Sequence, residues 1–136
     1  MKNRSELREI IVKVLYQVYI LENTNLSYDI AGLEKELLEV SNDFVDQCVR
    51  GVIEHQKVID QLANKYLDVW NIDRLSKVDK AILSLGVYEL KITDTPSIVA
   101  INEAIELSKR YSDEKVTKMI NAVLDQIYHN EEENAR

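Results

Sequence analysis

One proline, Pro96, and three glycines, Gly32, Gly51 and Gly86, serve all 136 residues of this chain. Average proteins carry roughly 5% and 7% of these two residue types. Folds built from many tight turns need them, so a sandwich or a barrel is disfavoured. The glycines also stand far apart. With no Gly-rich loop to let a backbone approach phosphate, a Rossmann or P-loop enzyme is disfavoured as well. At 46% hydrophobic and 30% charged residues the chain can still build a core. An all-α domain remains.

Helical spacing runs through the chain. Leu7, Ile10, Ile11, Val14, Leu15, Val18 and Leu21 form one apolar stripe over about four turns, and Asn3 with Glu6 has the form of a capping box. A weaker helix is predicted over about 28–39. From Phe44 to Leu67 the apolar residues keep helical phase, with Gly51 or His55-Gln56-Lys57 marking a bend or break. Trp70 to Asp73 reads as a turn. The helix from Leu75 to Ile92 is apolar on two sides, which predicts a central, buried position. Pro96 and Ser112-Asp113 bound the next helix, and Val116 to Ile127 carries the last stripe. The expectation is six or seven helices in one domain over 1–136, with a frayed acidic tail at about 130–136.

Catalysis is not supported. His55 and His129 are the only histidines, with no zinc motif, and no nucleophile elbow is present. No cofactor or metal is expected. Glu89 and Glu103 stand out among the carboxylates, and hydrogen bonding to a loop or helix end is their expected role. The lone Cys48 lies in an apolar row and reads as a small core residue, which suits a reducing compartment. No run approaches the length of a membrane span, so no membrane partner is expected and the location is read as cytoplasmic.

Net charge is −7 but uneven. Residues 1–13 hold four basic and two acidic side chains, a local +2, whereas the remainder holds 13 basic and 22 acidic, a net −9. That balance argues against broad coating of nucleic acid and leaves room for a local anion contact at the N-terminus. Arg4 and Arg8 are spaced i, i+4 on one side of the first helix. Lys2 extends their row toward the terminus, and Tyr16 is placed on it two turns further along, where it could stack on a base. Lys109, Arg110, Lys115 and Lys118 bracket the Ser112-Asp113 break. Each group alone is most simply a solvated face. The two make a phosphate groove only if the fold sets the N-terminus beside that break.

From Tyr66 onward the text resembles a known family. Tyr66-Leu67-x-x-Trp70, Asp73-Arg74-Leu75-x-x-Val78-Asp79-Lys80-Ala81-Ile82-Leu83 and Val87-Tyr88-Glu89-Leu90 are similar to the NusB family of transcription antitermination factors. So are Pro96-x-x-Val99-Ala100-Ile101-Asn102-Glu103-Ala104-Ile105-Glu106-Leu107 and Asn121-x-Val123-Leu124-Asp125-x-Ile127. Leu15-Tyr16-Gln17 in the first helix also fits, while residues 22–45 match only in pattern.

The resemblance implies two small bundles of three to four helices packed as one domain. It implies binding to a single-stranded boxA element of ribosomal RNA leaders, together with the ribosomal protein NusE, in a complex that keeps RNA polymerase elongating through terminators. Arg4, Arg8 and Tyr16 match RNA-side positions, as does Lys118 before the last helix, with Lys2 and Lys115 as neighbouring cations. Asp79 matches an acidic position facing the ribosomal protein. Ser5 and Glu6 interrupt the arginine run that the family often carries at its N-terminus. Met119-Ile120-Asn121-Ala122 replaces its usual Phe-Val-Asn-Gly, so Met119, an RNA-side position by the resemblance, stands where relatives present an aromatic ring that could stack on a base. Ser84 stands where relatives often have arginine. With net −7, these departures keep open a second reading, a protein-interaction module of the same fold with little intrinsic RNA binding. A third, an accessory domain of an RNA methyltransferase, is weakened by the missing Gly-rich loop. Monomer and homodimer both stay open.

Overall fold

The computed structural model describes residues 2–131. Its helices are α1 (Arg4–Glu22), α2 (Ile30–Lys35), α3 (Asp43–Glu54), α4 (Gln56–Tyr66), α5 (Lys77–Lys91), α6 (Ser97–Tyr111) and α7 (Glu114–Asn130), with a 3-10 turn at Ile72–Arg74. Among the described residues there is no strand, and no helix is long and apolar enough to cross a membrane.

Local chemistry sets most boundaries. Asn3 accepts from the Glu6 backbone N–H while Glu6 reaches back to the N–H of Asn3, the reciprocal cap that the sequence predicts. Asp29, Asn42, Ser76 and Asp113 cap α2, α3, α5 and α7 by one bond each, a side-chain oxygen on an N–H three residues later. The long series 44–67 divides at His55, which closes α3 and opens α4. Helix α2 is shorter than predicted. After Lys35 the N–H groups of Leu37 and Leu38 both return to the Glu34 carbonyl, and the chain leaves the helix, with Leu38 buried and Val40 exposed.

Helices α1, α2 and α3 pack on one another, and α4 to α7 form the second set. Helix α5 joins the two sets by touching α1, α3, α4, α6 and α7, so every residue from Ala81 through Lys91 is buried. That is the central position its two apolar sides predict. Where α3 meets α5, a Cβ on Gly51 would fall 2.1 Å from the Tyr88 hydroxyl. Only a residue without a side chain admits that ring.

At the C-terminal end Asn130 closes α7, and the Glu131 carboxylate accepts from Lys65 Nζ at 2.8 Å and from the Tyr66 hydroxyl. The rest of the tail expected at about 130–136 lies outside the described residues. Cys48 is buried, and burial together with the charge of Glu89 pushes its thiol up to about 12, as suits a packing residue.

Candidate nucleic-acid interface

Arg4 and Arg8 are one turn apart, yet their surroundings differ. Arg4 is exposed, with its guanidinium 3.9 Å from the centroid of the Phe44 ring at the start of α3. Arg8 is only 5% exposed. Its Nε and Nη2 hold the two oxygens of Glu89 at 2.7 and 2.9 Å, and its Nη1 holds Glu103 at 2.9 Å. Burial acts to lower the Arg8 pKa, but the bonds and charges of Glu89 and Glu103 outweigh it and the net shift is upward. Thr95 completes the cluster by donating to Glu89 at 3.1 Å, and Ser5 donates to Glu103. The two carboxylates thus take the structural part expected of them, tying α1, α5, α6 and the Pro96 loop together. An Arg8 side chain held in this way is a positioning group, not an open cation.

Tyr16 is exposed, but not on the Arg4 side. Twelve residues are about three and one-third turns, so it stands roughly a third of a turn round the helix from Arg4. It shares its exposed flank with Lys13 and Ile20. The single row predicted for Arg4, Arg8 and Tyr16 therefore becomes three settings: a cation on a ring, a buried ion pair and an outer flank.

The N-terminal half of α1 does lie beside α6. Besides the Ser5 and Arg8 bonds to Glu103, the Glu9 carboxylate accepts from Arg110 Nη1 at 2.8 Å and from the Tyr111 hydroxyl at 2.7 Å. This meets part of the condition for a joint groove, through Arg110. Lys115 lies instead 5.8 Å from the centroid of the Trp70 ring, and Lys118 pairs with Glu114 one turn back at 3.3 Å. Lys109 approaches Glu106 at 3.7 Å. Lys2 is exposed beside a surface hollow lined by Leu7, Leu37 and Val40. Met119 is partly buried and packs on the core. Asp79 is buried in the first turn of α5 and accepts from the Ser112 hydroxyl, fastening the α6–α7 break to the central helix. Ser84 is fully buried and accepts from Gln56, so its position is no part of an exposed cationic face.

From the sequence, Phe44, Glu9 and Trp70 carry no binding role, although Trp70 stands in a family motif and Phe44 in the apolar series. Phe44 is the only phenylalanine, at the N-terminus of α3, but no local pattern pairs it with residue 4. Among the described residues no group of three or more His, Cys, Asp or Glu is placed to hold a metal ion.

The model of the NusB family matches residues 5–129. The chain belongs to the NusB family. It is 42% identical over 125 residues to the transcription antitermination protein NusB of Listeria innocua serovar 6a, covering 91% of this chain and 94% of that one. Its fold is similar to T. maritima NusB, with a TM-score of 0.81, 33% identity and coverage of 95% of this chain and 92% of the other. It is also similar to a chain in a crystal structure of the antitermination factors NusB and NusE in complex with double-stranded RNA. There the TM-score is 0.78 at 28% identity, with 93% and 96% covered. NusB membership accounts for the resemblance seen from Tyr66 onward and extends it back through α1.

Proposed function

We propose that this chain is a transcription antitermination factor that acts without catalysing a reaction. In this reading it works as one domain over 1–136 in the cytoplasm, binding boxA-type single-stranded RNA of ribosomal RNA leaders together with NusE and joining the complex that keeps RNA polymerase elongating through terminators. The observation that carries the reading is the likeness along nearly the whole chain to NusB proteins, among them a chain from a NusB–NusE–RNA complex.

On the RNA side, Lys2 and Arg4 supply phosphate contacts at the head of α1, while Arg8 holds that helix in place. Tyr16 offers a ring to a base from the neighbouring flank, and Lys115 and Lys118 add positive charge at the start of α7. The acidic body suits a basic ribosomal protein as partner. Asp79 shapes the partner face through Ser112.

The test is a titration of a labelled boxA-type RNA, with and without NusE, at two salt concentrations. Binding should tighten with the partner, and log affinity should fall with log salt by about 0.7 per phosphate contact. A complex with NusE but no RNA binding in either condition would leave the protein-interaction reading instead.

A further inference from the structure

Two donors from the last turn of α6 converge on one oxygen of Glu9: Arg110 Nη1 at 2.8 Å and the Tyr111 hydroxyl at 2.7 Å. A guanidinium and a hydroxyl aimed at a single anionic oxygen is also the donor set that holds a phosphate oxygen. The Arg110 side chain is 59% exposed and that of Glu9 22%, so the pair opens toward water and its anion can be exchanged without disturbing the core. Bonds from Tyr111 and Arg110 hold the Glu9 carboxyl below its ordinary value, so it is anionic at neutral pH. Burial and the same bond push Tyr111 up to about 12, which keeps its proton available for donation.

We propose that Arg110 and Tyr111 form a phosphate subsite whose resting occupant is the Glu9 carboxylate, and that a backbone phosphate of bound RNA displaces it. The proposal rests on the RNA-binding reading above and adds a built-in competitor to it. Once displaced, the Glu9 carboxylate has Lys13 four residues on, the favourable order for a helical Glu–Lys pair. Lys13 and Tyr16 are exposed about one and two turns beyond Glu9 on the same flank. A strand seated at Arg110 would therefore run on toward an ammonium and then a ring. Glu9 thus makes weak or non-specific polyanions compete with an internal carboxylate.

The test compares the wild type with Glu9→Gln, Arg110→Ala and Glu9→Gln/Arg110→Ala, using labelled boxA-type single-stranded RNA at two salt concentrations. Glu9→Gln should tighten binding about two- to fivefold, the range that loss of an exposed ion pair supports. Its log–log salt slope should match that of the wild type, since the same phosphate contact forms in both, whereas Arg110→Ala should flatten the slope by about 0.7. The gain should vanish in the double variant. No gain, or a gain that survives Arg110→Ala and so reflects net charge alone, overturns the proposal. In a second arm, inorganic phosphate is titrated while the Arg110 Nε–Hε resonance is followed by NMR. The resonance should move at lower phosphate in Glu9→Gln than in the wild type, and no movement in either overturns the subsite. If the phosphate arm succeeds while no variant binds RNA, the RNA reading fails and free phosphate is the ligand.

Discussion

Arg8 of α1 grips both carboxylate oxygens of Glu89 in α5, 81 positions further along the chain, at 2.7 and 2.9 Å. With Glu89 only 1% exposed, this is a buried ion pair across the junction of the two helical sets. Removing one partner strands the other's charge, a change that costs about 3–5 kcal/mol. Arg8→Met should therefore lower unfolding free energy by that amount in urea melts. Arg8→Met with Glu89→Leu should recover much of the loss, because an apolar pair of similar volume replaces the ions. A single variant within about 1 kcal/mol of wild type would refute the buried pair.

Arg4 should behave in the opposite way. Its guanidinium stacks on the exposed side of Phe44, and Arg4→Ala should cost only about 0.5–1 kcal/mol of stability. In RNA titrations the same change should weaken binding and reduce the log–log salt slope by about 0.7. An unchanged slope would remove Arg4 from the phosphate contacts.

Gly51 and Tyr88 form a matched pair. A Cβ at position 51 would lie 2.1 Å from the Tyr88 hydroxyl and 2.3 Å from Cζ, so Gly51→Ala must push the ring or part α3 from α5. The expected loss is about 1–3 kcal/mol. Tyr88→Leu should reduce the cost of Gly51→Ala, giving a coupling energy in a double-mutant cycle; additive effects would contradict the close approach.

Glu34 should make stability depend on pH. It is 8% exposed with one oxygen lacking a hydrogen-bond partner, and burial followed by the neighbouring Asp46 raises its pKa from 4.5 to about 7. Because the folded value lies above the unfolded one, the stabilising contribution is complete below about pH 4.5 and is lost as pH rises through about 7. Glu34→Gln, which cannot ionise, should leave Tm nearly unchanged at pH 4.5 and raise it by about 2–6 °C at pH 8. Equal shifts at the two pH values would exclude the titration of Glu34.

Helix positions were legible because their causes are local. The apolar residues of α1, α5 and α7 recur at helical spacing, and Asn3, Asn42 and Asp113 cap N–H groups only three residues away. The short α2 was overestimated, because its end depends on delivering Leu38 to a core that other helices supply. The break at His55 was only narrowed to a few residues, since apolar phase runs through it on both sides.

The sequence by itself determined that this chain is helical, where its main helices begin, and that α5 is central, for these follow from neighbours within a turn or two. It also carried the NusB likeness in motifs of adjacent residues. Which cations stand free was decided by the tertiary structure alone. Arg8 meets Glu103 from 95 positions away, and Glu9 meets Arg110 from 101, so the charged residues of α1 are buried or paired by partners that only folding brings near. Coulombic and hydrogen-bond partners act through space, and helical period records only the face on which a residue starts.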